Sequence, residues 1–279
     1  MSSDFMMTRR VALGGSALLF CEPALAENSV FSPLEASGVR MGVAALDTGS
    51  GKHIGWRADE RFVMCSTFKL SLAAANLAKA DRGKETLDRP IRIGPDMPLG
   101  VSPATSKNVG KDMTIAQLCE AAVIFSDNGA ANTLLKILGG PQALTTYWRS
   151  IGDHVTRLDD FELKLNIPDG ERNTTTPNAM LGNLKNLLLG DALSPASRAR
   201  LLGWMRASTT GANRLHAGLP ASWQWGDKTG TSAGQYGLVN DIGIAEPPGR
   251  KPILMVAYTE HSSEKILAAT GSILAKAFA

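Results

Sequence analysis

The sequence predicts an α+β fold, a five-stranded antiparallel sheet flanked by helices and interrupted by an inserted all-helical region. Three observations carry that prediction. Strand-type patterns occupy only the two ends of the chain that follows residue 26. A series of helical patterns fills the middle, three of them beginning at or beside a proline, where the missing N–H costs nothing. Turn clusters join the strands into hairpins, the arrangement expected of an α+β sheet rather than of alternating βα units.

The elements follow in order. Arg40 to Thr48 reads as a strand, Asp47-Thr48-Gly49-Ser50-Gly51 as a turn, and a second strand ends near Trp56. Ser66 to Ala80 reads as a helix of apolar and small residues, with Gly83 beyond its end. Thr114 starts another, with Gln117 three residues on completing a capping box, and it runs to about Phe125. Helices are expected near Ala130–Leu138, Pro141–Ile151, Pro177–Leu189 and Pro195–Ala207. Between Asp159 and Thr176 the chain turns polar and irregular, and a loop of that length in a compact domain is usually functional. Strands return at Trp225–Ser232, Leu238–Ala245 and Ile253–Thr259, and a last helix spans Ser262 to Phe278.

The first 26 residues do not read as part of the fold. Arg9 and Arg10 precede an apolar stretch, Val11 to Phe20, that is too short to span a membrane, and Ala24-Leu25-Ala26 offers small residues for cleavage. This is the pattern of a signal peptide, and Thr8-Arg9-Arg10-Val11-Ala12-Leu13 resembles a twin-arginine version of one. The expected organisation is a signal over 1–26, a discontinuous sheet domain over 27–58 and 208–279, and a helical domain over 59–207. The expected location is the periplasm or the cell exterior. No later apolar run reaches membrane-spanning length, so no stable membrane association is expected, and the mature protein reads as a monomer.

Composition narrows the function. The chain has 279 residues, 44% hydrophobic and 20% charged, with a formal net charge of +3. Its cations are scattered, with no basic block or aromatic–basic interleaving, which speaks against nucleic acid as a partner. Four histidines without paired spacing give no metal site, and no cofactor is called for. Outside the signal remain Cys65 and Cys119, both in apolar stretches that read as buried free thiols.

Three short motifs carry chemistry. Ser66-Thr67-Phe68-Lys69 puts a hydroxyl and an amine one helical turn apart, so that a lysine of lowered pKa can accept the serine proton. The same spacing recurs at Ser262–Lys265, where helix capping explains it, so this motif alone is weak. Ser126-Asp127-Asn128 lies between two helices, and each of its residues also suits an ordinary turn. There Ser126 offers a proton relay and Asn128 an amide for a substrate carbonyl. Lys228-Thr229-Gly230 lies on a strand, where a cation and a hydroxyl can hold a carboxylate while glycine permits close approach. Each has a bland reading alone, but the ordered set is far less ordinary.

Together the three motifs match the signature of class A β-lactamases and penicillin-binding proteins, and the chain resembles that family over essentially everything after residue 26. The resemblance implies a β-lactamase/transpeptidase-like fold and a small-molecule β-lactam substrate opened through an acyl-enzyme on Ser66. It extends to Phe161-Glu162-Leu163-Lys164-Leu165-Asn166, where Glu162 would activate the deacylating water and Asn166 would fix it. It also implies an oxyanion site from the backbone N–H groups of Ser66 and Thr231, and places Arg214 near the substrate carboxylate. Whether Lys69 or Glu162 takes the Ser66 proton is open.

The chain departs from the family pattern in the loop around Glu162. Asp160 and Asn173 stand where the family has an arginine–aspartate ion pair across the loop neck, and Leu163 replaces a proline. The expectation is therefore a looser loop. Val101-Ser102-Pro103 lacks the common aromatic gatekeeper, and the family's cysteine partners for Cys65 and Cys119 are Ser232 and Ala73 here. Gly230-Thr231-Ser232-Ala233-Gly234 formally matches a nucleophile elbow, but strand-like rather than helical sequence follows it. A D-Ala-D-Ala peptidase or a penicillin-sensing receptor shares the first three motifs; Glu162 with Asn166 and the lack of an anchor speak against both.

Overall fold

The computed structural model describes residues 28–279 apart from 37 and 233, so the signal reading over 1–26 lies outside the described residues. After a short helix α1 (Ser32–Glu35) come strands β1 (Arg40–Asp47), β2 (His53–Trp56) and β3 (Phe62–Val63). Helix α2 (Phe68–Asp81), strands β4 (Pro90–Arg92) and β5 (Asp112–Thr114), and helices α3 (Ile115–Ile124), α4 (Asn128–Leu138) and α5 (Pro141–Ser150) follow. The chain continues through β6 (Thr174–Thr175), α6 (Pro177–Leu188), α7 (Pro195–Arg206), β7 (Gln224–Ser232), β8 (Leu238–Glu246), β9 (Ile253–Glu260) and α8 (Glu264–Ala277).

The main sheet has five strands in the order β2-β1-β9-β8-β7, every pairing antiparallel, as the two ends of the sequence predict. Period-2 alternation sends side chains to both faces. Ala44, Ile242, Ile244, Leu254, Val256 and Tyr258 pack against the central helices. Met41, Val43, Ala45, Met255 and Ala257 pack against Leu267, Leu274 and Phe278 at the C-terminal helix and against Phe31. A sheet covered on both faces needs near-continuous apolar strands, and all of β9 except its last residue is buried.

Helix α2 is buried on every side: each residue from Phe68 to Ala78 is within the buried class. That explains why its sequence is small and apolar throughout instead of amphipathic. The helix differs from expectation at its start. Cys65–Thr67 forms a tight 3₁₀ turn before the α-helix begins at Phe68, with Cys65 at φ +46°. The ends of the other helices follow the sequence chemistry. Thr114 and Gln117 form the capping box, Asp127, Thr176 and Ser194 cap α4, α6 and α7 through their side chains, and Pro141, Pro177 and Pro195 open their helices.

Two small sheets lay below the reach of periodicity. β3 pairs with β6 through Phe62–Thr175 and Val63–Thr174, and β4 pairs with β5. The first of these joins the approach to Ser66 to the end of the Glu162 loop.

That loop is braced by contacts other than the family's. Asn173 Oδ1 accepts from the Asp159 and Asp160 amides at 2.9 and 3.0 Å, and its Nδ2 donates to Asp160 at 3.0 Å. Arg172 donates to the same Asp160 oxygen at 2.8 Å, and Lys164 reaches the other oxygen at 2.8 Å. The charge order of the neck is thus reversed: an aspartate precedes Glu162, and the arginine comes from the far side of the loop. The expected loosening rested partly on a missing arginine, and Arg172 supplies a cation there; Leu163 in place of proline, the other ground, stands as the sequence has it. Among the described residues no helix is long and apolar enough to cross a membrane.

Burial alone would raise the Asp160 carboxyl, but Lys164, Asn173 and Arg172 together hold it down at about 2, against an ordinary value of 3.8. A depressed carboxylate stabilises the fold above its unfolded value and loses that contribution as pH falls through the folded one. The brace is therefore complete above about pH 4 and fades towards pH 2. Asp160→Ala at neutral pH is expected to speed amide hydrogen exchange across 159–173 by about fivefold, the size of a partly exposed ion-pair network. Unchanged exchange in that segment would show that the carboxylate does not hold the loop.

Candidate active site

The site forms where the start of α2, the α3–α4 turn, the 159–173 loop and strand β7 meet. Ser66 sits in the 3₁₀ turn at the head of α2, its neighbours Cys65 and Thr67 fully buried. Strand β7 presses directly on that turn at Gly230. A Cβ there would stand 2.6 Å from the Met64 carbonyl oxygen and 3.1 Å from Cys65 Cβ. Gly230 was expected to admit a ligand to the backbone; what it admits is the nucleophile turn itself. Asn240 on β8 fixes the same segment, donating to the Val63 carbonyl at 2.9 Å and accepting from the Thr259 amide at 3.0 Å.

Lys69, one turn after Ser66, is fully buried, and Glu162 beside it has no exposed side-chain surface. Lys69 Nζ lies 2.9 Å from Glu162 Oε1 and donates to Asn128 Oδ1 at 2.5 Å, to the Ser126 carbonyl at 2.9 Å and to Ser126 Oγ at 3.5 Å. Its hydrogen bonds go to these groups and not to Ser66 Oγ, whose proton is donated to Glu162 Oε1 at 3.3 Å. Burial draws the Lys69 ammonium below its ordinary range, and Glu162 opposes that shift. A proton on this amine is thus held less firmly than on a surface lysine.

Glu162 is positioned from both ends. Asn132 on α4 brackets its peptide, accepting from the Glu162 amide at 2.9 Å and donating to its carbonyl at 3.0 Å. Asn166 Nδ2 donates to Glu162 Oε2 at 2.6 Å, and Asn166 Oδ1 is buried with no partner. The Glu162–Leu163 peptide is cis. A carboxylate oxygen and an unpaired amide oxygen thus converge beside Ser66, a pair of acceptors able to orient a water.

The far side of the site is cationic. Lys228, fully buried, donates to Ser126 Oγ at 3.1 Å and to its neighbour's carbonyl, that of Thr229, at 2.9 Å. Burial first, and then the charge of Lys69, pull its ammonium down to about 7. The Thr229 hydroxyl meets that of Thr210 at 2.7 Å. Arg214 is buried and not a surface residue: it donates to the carbonyls of Gly230 and Asn240 at 2.9 and 2.7 Å, to Thr231 Oγ1 at 2.7 Å, and to Glu264 at 3.2 Å. Ser262–Lys265, the second Ser-x-x-Lys, lies at the start of α8, away from Lys228, Ser126 and Glu162 in its contacts.

The cleft over these groups encloses about 600 Å³ and is lined by Ser66, Ser126, Asn128, Asn166, Thr229 and Thr231 among others. All eleven expected site residues line this cleft or bond directly to a residue that does, Gly230 through the hydrogen bond its carbonyl accepts from Arg214. Sequence reasoning missed Asp127 and Asn132. Asp127 reads as a turn residue, yet its buried carboxylate accepts from the Ala104, Thr105 and Ala130 amides and from the Thr105 hydroxyl at 2.8–2.9 Å. Asn132 lies one helical turn beyond Asn128, and only that spacing could have marked it. Cys65 and Cys119 are both buried free thiols.

A nucleophilic serine with a buried amine and carboxylate at hand, in a cleft with a cationic wall, defines the class of serine hydrolases that open β-lactams on an α+β scaffold. Comparison with known proteins narrows the class. The family model described as "Beta-lactamase enzyme family" matches residues 27–278. The carbapenem-hydrolyzing β-lactamase KPC of Klebsiella oxytoca is 45% identical over 252 residues, covering 87% of this chain and 86% of that protein. The β-lactamase CTX-M-8 of Citrobacter amalonaticus is 42% identical over 268 residues, covering 93% and 91%. The solved structure of an ancestral class A β-lactamase of Gram-negative bacteria superposes with a TM-score of 0.87 at 53% identity, covering 90% of this chain and all of that one (100%). The chain belongs to the class A β-lactamases, enzymes that hydrolyse β-lactams and give antibiotic resistance.

Asp127 ties the β4–β5 connection, at Ala104 and Thr105, to the α4 N-terminus with four accepted hydrogen bonds. Asp127→Ala leaves buried donors unpaired and is expected to cost about 3 kcal/mol of stability, measured as a lower urea midpoint at unchanged slope. A shift below a tenth of that would mean the turn is held by other contacts.

Proposed function

We propose that Ser66 forms the acyl-enzyme and that Glu162 serves both half-reactions. The observation that carries this reading is the Ser66 Oγ–H donated to Glu162 Oε1, with Lys69 Nζ on the same oxygen. In acylation the Ser66 proton passes to the Glu162–Lys69 pair as Oγ attacks the lactam carbonyl. The backbone N–H groups of Ser66 and Thr231 receive the developing oxyanion, a contribution of about 3 kcal/mol per donor in such sites. Ser126, between Lys69 and Lys228, hands its proton to the departing lactam nitrogen and regains one from Lys69, so that the proton taken from Ser66 leaves the pair and Glu162 is ionised again. Lys228, Thr229, Thr231 and Arg214 hold the substrate carboxylate end, Asn128 binds the side-chain amide, and Gly230 sets the approach of β7. In deacylation a water between Glu162 Oε2 and Asn166 Oδ1 loses its proton to Glu162 and attacks the ester, and the proton passes to Ser66 Oγ as the C–Oγ bond breaks and the opened acid leaves.

The same reading takes residues 1–26 as an export signal, with Arg9 and Arg10 resembling a twin-arginine pattern, and the mature enzyme as a periplasmic or secreted monomer. It takes 27–58 with 208–279 as the sheet unit and 59–207 as the helical unit; one apolar cluster lies wholly within the sheet unit, and the larger one spans the junction of the two.

The test is turnover. Purified enzyme incubated with a large excess of penicillin should open many equivalents of ring; stoichiometric acylation that then stops would sink the hydrolase mechanism. Glu162→Ala is expected to accumulate the covalent adduct, seen as a mass increase of one penicillin on the peptide containing Ser66. An adduct-free variant that still turns over would assign the water to another base.

Lys228 supplies a pH dependence with a definite sign. An ammonium with its value at about 7 holds an anion only while protonated. The KM for a penicillin should be flat below about pH 7 and rise above it. Lys228→Arg, which stays charged, should remove that rise. A wild-type KM that stays level to pH 9 would show that other groups hold the carboxylate.

A further inference from the structure

A second cavity lies behind the Glu162 loop, apart from the catalytic cleft. It encloses about 230 Å³ between α6 and the segment that leaves α5, and Asp153, His154, Asn178, Gly182, Asn183 and Asn186 are among the residues that line it. None of these lines the catalytic cleft.

The fold does not account for two of them. Gly182 stands inside α6, where glycine is a much weaker helix former than alanine. A Cβ there would meet nothing within 4 Å, so no neighbouring segment calls for the glycine, and its missing side chain leaves the cavity open. Asn183 is 1% exposed, and its Nδ2 donates to Asp153 Oδ2 at 2.6 Å. Its Oδ1 is buried with no partner. A buried amide oxygen without a donor is destabilising until something supplies one.

The surroundings select that donor. The Asp153 carboxylate is buried and accepts from Asn183 and from the Val155 and Thr156 amides, the last two at 2.8 and 2.9 Å. Arg149 donates to the Asp153 carbonyl at 2.5 Å, and among the described residues no cation bonds to the carboxylate itself. Asn186 donates to the Ile151 carbonyl at 2.9 Å, which leaves its own oxygen as a further acceptor. The cavity also borders the C-terminus of α5 at Gly152, and that end of a helix favours cations. An anion has little to bind: the first amides of α6 are already bonded, Asn178 to the Ala58 carbonyl and Ala179 to the Thr176 hydroxyl. A metal ion fits poorly as well. Calcium takes about six to eight oxygens, whereas the carboxylate here already accepts three N–H bonds. Among the described residues no group of three His, Cys, Asp or Glu could hold a metal. An ammonium group carries three N–H donors and needs only two or three acceptors.

We propose that this cavity binds a small organic cation, a primary alkylammonium, whose N–H groups reach Asn183 Oδ1 and the Asp153 carboxylate while its carbon chain lies in the space beside Gly182. The site is tied to the foot of the Glu162 loop. The Thr156 hydroxyl meets that of Thr175 at 2.6 Å, and the Arg157 amide donates to the Thr174 carbonyl at 3.0 Å.

The experiment follows backbone amide shifts of the isotope-labelled enzyme by NMR during titration with butylammonium chloride at constant ionic strength. The amides of Val155, Thr156, Gly182 and Asn183 should shift together and saturably, with a Kd of about 10 mM, ordinary for a ligand of five non-hydrogen atoms. Tetramethylammonium, which has the charge but no N–H, and n-butanol, which has a donor but no charge, should each bind about tenfold more weakly. Asn183→Ala, which removes the unpaired oxygen, should weaken butylammonium by about the same factor. Gly182→Met, which fills the space, should abolish the shifts and leave the rate of penicillin ring opening unchanged, a check that the variant is folded. Absence of saturable shifts at these four amides would overturn the proposal. So would equal shifts with sodium chloride or tetramethylammonium, or a Gly182→Met enzyme that binds butylammonium as the wild type does.

Discussion

The contact between Lys69 and Glu162 is the constraint that the rest of the site answers to. Both side chains are withdrawn from water, and their nitrogen and oxygen lie 2.9 Å apart. Such a pair is stable only if each charge finds further hydrogen bonds, since attraction alone does not offset the desolvation of two ions. Lys69 finds Asn128 and the Ser126 carbonyl, and Glu162 finds Asn166 and the hydroxyl of Ser66. The polar groups that complete the pair are the groups to which the proposed mechanism gives a role. Solvation of the buried charges and arrangement of the catalytic atoms are one structural problem with one solution.

That solution requires three chain segments, far apart in sequence, to be held still. The helix bearing Lys69 is rigid because it is buried on all sides. The peptide of Glu162 is bracketed by Asn132, and its loop is closed by Asn173, Asp160 and Arg172. The α3–α4 turn is locked by Asp127. The loop neck shows that the requirement is for a closed ion-pair network and not for particular residues at particular positions. Reversing acid and base across the neck keeps the attraction, because Coulomb energy depends on the product of the charges and their separation.

Much of this was legible beforehand. The five sheet strands and the seven longer helices follow from periodicity and caps, because those elements are long enough to repeat their pattern. The two-residue strands β3 and β6 are not, and exist only because tertiary contact brings Phe62 to Thr175. Ser66, Lys69, Ser126, Glu162 and Lys228 were visible as residue types that do chemistry. Asp127 and Asn132 were not, since a buried carboxylate or amide that binds backbone looks in sequence like any turn or helix residue. Arg172 was hidden for another reason: the reading sought a cation at one place in the loop, and the cation comes from the other side.

The contact of β7 with the nucleophile turn at Gly230 bears on how the enzyme can evolve. Any side chain there meets the Met64 carbonyl at 2.6 Å, and a backbone atom cannot step aside as a rotamer can. A mutation at this codon would therefore push strand β7 away from the turn that carries Ser66. The lineage has no gradual path through that position. Room for change lies outwards, at mouth residues such as Val101 and Ile167, whose side chains are more than half exposed.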